Sequence, residues 1–410
     1  MTPTRYLAAR LWDGLGSLVH RGAVDVVDGT ITAVGRADRL PPSPPGAVIR
    51  DLGDVTLLPG LIDTHVHVTF STGTDVVADF ERDRSVEGGG PLLAHAQRNL
   101  GIALDVGTTT VRDLGTPAPI ATAIRAAVAD GTLRGPDVIT SASPLTTPGG
   151  HCHFLSHEVG PDEDPAAAVD RAVEAGADLI KVFASGGNLT PHSSPLARQF
   201  DRAALQAIVG AAHRRGLIVA AHAFGHDSVV DCAAVGVDTI EHCAFLTPAG
   251  PVVDAETLVR MAGDGIIAVP TVASGPPPPD SFDPTTVPLA IREKIEALMR
   301  LFPLARDAIR AMVEAGVELT AGTDAGIPKR PFDSLTASVA WFGSAEGLGM
   351  STAEALATAT PSRRGPAAWR TAAPCALDCG PTCWPWTATR SPRWPTSHAP
   401  AWSSSKERRW

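Results

Sequence analysis

The stretch Pro59-Gly60-Leu61-Ile62-Asp63-Thr64-His65-Val66-His67-Val68 decides how the rest of the chain is read. Leu57, Leu58, Leu61 and Ile62 make a run too apolar to alternate, which marks a strand buried on both faces. His65 and His67 stand two residues apart at its end. Side chains two apart on an extended strand point the same way, so both imidazoles face one side and can share a metal ion. A surface strand can show two such histidines by chance. A polar pair that ends a doubly buried strand instead fits the active mouth of an α/β barrel.

Working outward, extended apolar runs recur at 57–64, 108–112, 138–142, 179–184, 218–222, 239–242, 266–271 and 318–323. Alanine-rich helical patterns such as Ala166–Ala175, Asp201–Arg215 and Ile291–Ala315 lie between them, and Gly107, Gly176, Gly216, Gly236 and Gly316 precede the next strand as helix C′ residues do. Eight β-α repeats predict an α/β fold of the (β/α)8 TIM-barrel type over 57–360, with chemistry at the C-terminal strand ends. A doubly wound sheet would need a glycine-rich phosphate turn after the first strand, and the sequence has none. Ser71–Gly90 and Ser274–Pro288 read as long loops after barrel strands, either lids or solvated spacers.

Residues 1–56 form a second unit. Tyr6–Leu11, Ala23–Val27, Thr30–Val34 and Val48–Leu52 read as strands, with Asp28-Gly29 as a hairpin turn. Three or four strands are too few to stand alone, so this half of a small β-sandwich needs partners, and the C-terminus is the only unassigned source.

Composition bounds the function. The chain has 410 residues, 44% hydrophobic and 19% charged, enough for one large barrel and a small accessory domain. A net charge of -10 and a pI near 5.7 argue against nucleic-acid and anionic-membrane partners. The sequence contains neither a signal-like segment nor a bilayer-spanning apolar run, so the expected home is the cytoplasm, with a homo-oligomer allowed. Cys152, Cys232 and Cys243 have neither disulfide nor zinc-knuckle spacing and read as buried or free thiols.

Further candidates sit where strand ends are expected. Lys181 lies in the apolar run Leu179-Ile180-Lys181-Val182-Phe183 with no acid inside that run. A buried lysine loses its charge, finds a partner or is altered, and a neutral amine can capture carbon dioxide to give a carboxylate. The plainer reading is a lysine reaching out from a strand end. His222 and His242 each close an apolar run, and Asp324 follows the last one. Singly these are packed histidines and a helix cap; together with His65 and His67 they form an ordered set of nitrogen and oxygen donors suited to two zinc-like ions.

With LPGLIDTHVHV, TTTVRDLG, TTPGGHCHF, DLIKVFASGG, AAHAFG, TIEHCAF and TAGTDAG on the page, the sequence from Arg5 to about Thr358 resembles the amidohydrolase superfamily. The likeness is to its binuclear branch with a carboxylated lysine, in the imidazolonepropionase-like and Xaa-Pro dipeptidase-like group. It implies two divalent ions, most simply zinc: His65 and His67 hold the more buried one, His222 and His242 the more exposed one. Carboxylated Lys181 bridges both, and Asp324 ligates the first while handling protons. It also implies a metal-bridging hydroxide that cleaves a C–N bond of a small amide or dipeptide. His151 is implied to face the substrate, with weaker cases for His153 and His157. Arg112 and Asp113 end the second strand and could pair to orient a ligand, although plain structural pairing explains them as well. Dipeptidase-like relatives often carry Tyr where Phe224 stands here without a hydroxyl, which leaves His226 as a substitute. Two other outcomes are a catalytically silent binding protein on the same fold and an inactive product.

The last outcome arises from residues 361–410. Trp369, Trp384, Trp386, Trp394, Trp402 and Trp410 crowd there with Cys375, Cys379 and Cys383, without helix or strand period, as a disordered tail would read. Regrouping each codon to begin at the third base of the one before, with its first base chosen freely, turns Trp369–Trp410 into a string containing PGLRADLLAVDGDPL. That segment is similar to the family's closing sandwich strands, and it places a frameshift, in the gene or in its sequence, near residue 360.

Overall fold

Apolar runs punctuated by glycine become parallel strands here, and the alanine-rich stretches between them become helices. The computed structural model describes residues 2–73, 75–272, 304–328 and 330–360. Its N-terminal sheet holds β1 (Thr4–Trp12), β2 (Leu18–Val27), β3 (Thr30–Arg36), β4 (Val48–Asp51) and β5 (Thr56–Leu57), ordered β3-β2-β1-β4 with β5 also on β1. The Asp28-Gly29 turn joins β2 to β3, and its φ angles of 49° and 79° are those of the tight hairpin that matches strand twist. Its apolar cluster is small: Leu11 and Val24 are buried, with Val19, Val26, Ile31, Val34 and Leu57 partly so.

Leu57 corrects one boundary. It was expected to begin the barrel, but it pairs with Leu11 in the N-terminal sheet. The reason is Pro59-Gly60, which interrupts the apolar run; a Cβ on Gly60 would collide with the Thr109 side chain. The first strand of the second unit is β6 (Leu61–Val66), in a parallel sheet with β7 (Thr108–Asp113) and β8 (Asp137–Thr140). Another sheet contains β9 (Leu145–Thr146), β10 (His157–Glu158), β11 (Ile180–Phe183), β12 (Val219–Gly225), β13 (Thr239–Thr247), β14 (Gly250–Pro251) and β15 (Ile267–Val269). All its pairings are parallel except β13 with β14.

Backbone bonds continue beyond both sheets. The Asp178 amide donates to Thr140 O at 2.8 Å, linking β8 to the approach to β11. Ala268 donates to Glu318 O at 3.0 Å and Thr320 donates to Ala268 O at 3.1 Å. Thr64 donates to Ala321 O at 3.1 Å, and Asp324 to His65 O at 2.8 Å. The expected run 318–323 therefore lies between β15 and β6. This mixed α/β arrangement is consistent with a (β/α)8 barrel.

The largest core packs helices against strands. Val169, Leu205, Ile208, Val229, Leu258 and Met261 from the helices meet Ile180, Val182, Ala221, Ile240 and Ala268 from the sheet. Each such large side chain contributes about 1.5–3 kcal/mol by leaving water. Asp164, Asp201 and Asp254 begin three of these helices by accepting from the amides of Ala166, Ala204 and Thr257.

The expected loop 71–90 proves to contain the helix Val76–Arg84, started by the Asp75 side chain. Residues 304–314 are helical, as expected for that part of 291–315. The loop 274–288 and the stretch 361–410 lie outside the described residues, as do the closing sandwich strands sought there. Among the described residues, no helix is long and apolar enough to cross a membrane.

Candidate metal centre

β6 carries His65 and His67 as its pattern requires, and both are buried. His65 Nδ1 lies 2.7 Å from Glu241 Oε2. A carboxylate accepts, so Nδ1 carries the proton and Nε2 presents a bare lone pair. That lone pair faces Asp324 Oδ1 at 3.4 Å, and His67 Nε2 is 3.1 Å from the same oxygen. Donor atoms of His65, His67 and Asp324 lie within 4.8 Å of one another, a group able to hold a metal ion. Burial, reinforced by Lys181, lowers the His65 pKa to about 4, so the ring is neutral as a ligand must be. Burial would raise the Asp324 carboxyl, but the surrounding His65, His67 and His242 overcome it and hold it well below the usual range.

A second histidine pair faces this group. The His222 Nε2 proton goes to Gly186 O at 3.1 Å, so Nδ1 is bare, and it lies 3.0 Å from His242 Nε2. His242 Nδ1 is 2.8 Å from Thr271 Oγ1. The 3.0 Å contact is a hydrogen bond when His242 Nε2 carries the proton and the Thr271 hydroxyl donates to Nδ1; in the other tautomer two nitrogen lone pairs would face each other, as two donors to one cation do. Burial lowers both histidines well below their ordinary value. Backbone strain concentrates here: His242 has φ 65° and Asp324 has φ 60°, the left-handed region that non-glycine residues avoid.

Lys181 stands on β11, 1% exposed. Its Nζ has no hydrogen-bond partner and sits 5.5 Å from the Phe183 ring centroid. Burial lowers its pKa to about 8 despite Glu241 nearby. An ammonium with three unmet protons is costly in such a place, so a neutral or modified amine fits better. His151 is also buried with an unpartnered Nδ1, and its ring centroid lies 4.9 Å from that of His222. Phe224 stacks on His242 at 4.2 Å, presenting an apolar wall.

Arg112, read as either orienting a ligand or pairing structurally, makes a buried pair with Glu241 rather than with Asp113. It is 1% exposed; Nη2 donates to Glu241 Oε1 at 2.8 Å and Nη1 to Thr239 Oγ1 at 3.1 Å. Thus Arg112 holds Glu241, and Glu241 holds His65. Burial would raise the Glu241 carboxyl, and Arg112 with His65 reverses that to well below the usual range. Neither Glu241 nor Asp63 was expected at the site. Asp63 accepts from Thr323 Oγ1 at 2.6 Å and from the Thr323 amide at 3.0 Å, pinning 318–323 to β6. The available signal was an acid inside a doubly apolar run, which needs a buried donor. Adjacent residues on a regular strand face opposite ways. Positive φ at His242 lets both it and Glu241 reach the interior.

The weaker candidates lie off this centre. His157 bonds Glu163 at 2.9 Å and His153 lies 3.8 Å from Glu158. His226 Nδ1 donates to Val252 O at 2.7 Å at an exposed site. Cys152, Cys232 and Cys243 are free and buried.

Comparison with known proteins adds four findings. The model of the amidohydrolase family matches residues 56–365. Ochratoxinase of Aspergillus niger is 27% identical over 344 residues, 77% of this chain and 68% of that protein. Among solved structures, a Xaa-Pro dipeptidase with bound methionine in its active site aligns with a TM-score of 0.70 at 27% identity, covering 88% of this chain and 87% of that one. A prolidase complexed with N-methylphosphonate-L-proline gives 0.71 at 25%, covering 88% and 86%.

Proposed function

The chain belongs to the amidohydrolase family, and from that premise we propose that it is a metal-dependent amidase of small substrates, built on a (β/α)8 barrel. It is a hydrolase acting on carbon–nitrogen bonds. The donor set fits two divalent cations, zinc by ligand chemistry: His65 and His67 for one, His222 and His242 for the other, Asp324 on the first. Lys181 would serve both as a carbamate. Its neutral amine forms an N–C bond to carbon dioxide, releases one proton to water, and so replaces an unpartnered amine by an anion. Bound there, the cations supply Lewis-acid chemistry, acidifying water and polarising an amide carbonyl.

The chain's own residues do the rest. Asp324, kept anionic by the histidines around it, accepts the proton that the water gives up and returns it to the departing amine. Glu241 fixes the His65 tautomer, leaving Nε2 free to bind. His151 offers its unpartnered nitrogen to the substrate, and Phe224 shields one side from water. The observation that carries this reading is the buried, partnerless Lys181 amine in one mouth with neutral histidines. The ochratoxinase and dipeptidase relatives direct the substrate search to small amides and dipeptides.

Metal analysis of the purified chain and assays on dipeptides and N-acyl amino acids test it. About two zinc ions per chain are expected, with activity lost in Lys181→Ala and partly restored by added propionate. Full activity of Lys181→Ala without added carboxylate would remove the bridging role. A chain that binds metal yet cleaves none of these amides would favour the catalytically silent alternative.

A further inference from the structure

Hydrolysis of an amide by this centre does not use Arg330, which stands beside it. The turn after Asp324 carries this residue: Gly326 N donates to Arg330 O at 2.9 Å, and Arg330 N donates to Ile327 O at 3.0 Å. Its Nη1 donates to Thr271 O at 3.2 Å. Thr271 lies just beyond β15, and its hydroxyl is 2.8 Å from His242 Nδ1. The guanidinium is therefore anchored between the C-terminal ends of two neighbouring strands, one residue away from a proposed ligand.

Among the described residues its charge is met differently from those of the buried arginines. Arg5 and Arg112, the buried arginines, have carboxylates at 2.6 Å and 2.8 Å. Half-buried Arg330 has no carboxylate within ion-pair distance among the described residues. Burial lowers its pKa, opposed by Asp324, so the cation loses water and gains the Thr271 carbonyl but no carboxylate among the described residues. A guanidinium offers a planar fork of donors that suits a carboxylate. In an amide whose nitrogen belongs to an α-amino acid, the carboxylate carbon is two bonds from that nitrogen. A carboxylate there would lie beside the cleaved bond, and Thr271, which touches His242, anchors Arg330 on that side of the centre.

Resting on the amidase reading above, we propose that Arg330 is the specificity residue that receives the substrate's α-carboxylate, so that dipeptides and N-acyl amino acids are preferred over neutral amides. The test compares matched pairs with the full chain: N-acetyl-L-amino acids against their C-terminal amides, and the uncleaved D-enantiomers of both as binding probes. Parent protein should favour the carboxylate member by about 10- to 100-fold, the range of a charged hydrogen-bonded pair. Arg330→Met should erase the preference through KM, with kcat changed less than about threefold, and Arg330→Lys should keep part of it. Metal content equal to the parent's shows that a variant has folded. Equal binding of the D-carboxylate and D-amide by the parent would overturn the proposal whatever the turnover, as would an equal loss on both substrates in Arg330→Met. Absent turnover with an Arg330-dependent preference for the D-carboxylate would uphold this site and reject amide hydrolysis instead.

Discussion

Two buried arginine–carboxylate pairs, one in each unit, do different work. Arg5 and Asp25 are cross-strand partners on β1 and β2, 2.6 Å apart, and Arg5 also donates to Pro41 O. Arg112 and Glu241 sit on β7 and β13, 129 residues apart, and the second Glu241 oxygen reaches His65. The first pair joins neighbours in a sheet with only Leu11 and Val24 buried in its apolar cluster. The second is fully buried and fixes the orientation of the His65 ring. An ion pair out of water gains little by itself. What it does depends on whether the surrounding packing lets the carboxylate hold something else.

The strongest way to break this contrast is at the proposed ligands. His65→Ala or His242→Ala should cut kcat/KM by at least about a thousandfold, since several kcal/mol of metal-supplied stabilisation is lost. Steady-state kinetics with metal analysis would check this; activity within tenfold of the parent would move the chemistry elsewhere. Glu241→Ala should do two things at once. It strands the Arg112 charge, costing about 3–5 kcal/mol in urea unfolding. It also frees the His65 ring, weakening metal affinity about 10- to 100-fold in a chelator competition. Asp25→Ala should cost a similar 3–5 kcal/mol in the N-terminal sheet and leave metal affinity within about twofold. If both variants leave metal binding untouched, Glu241 pairs with Arg112 without orienting His65.

How much of this was legible in the sequence follows the same division. The His65-Val66-His67 alternation, Lys181 in an apolar run, and His222, His242 and Asp324 after such runs were visible because strand period and burial are local properties. The structure brings His65, His67 and Asp324 into one group and His222 beside His242. Arg112 with Glu241 was not legible, because partners that far apart in sequence meet only through the order of strands. The Leu57 boundary failed for a different reason. An apolar run says that a segment is buried but not on which sheet, and here Pro59-Gly60 divided it.

The smallest expected effect bears on the N-terminal sheet and on the tail beyond residue 360. Val48 and Ile49 on β4 are 46% and 51% exposed, apolar side chains on a strand paired with β1. Such an edge invites association with other chains. Ile49→Lys in the chain as written should change unfolding free energy by no more than about 0.5 kcal/mol while lowering concentration-dependent light scattering. In a frame-restored chain carrying PGLRADLLAVDGDPL, strands that cover β4 would bury Ile49, and the same lysine should then cost about 1–3 kcal/mol. That restored chain should also melt higher than the chain as written. Equal melting temperatures, with Ile49→Lys neutral in both, would mean that the sheet needs no closing strands and that residues 361–410 replace nothing. A change of sign between the two backgrounds would instead locate the missing half of the layer on β4.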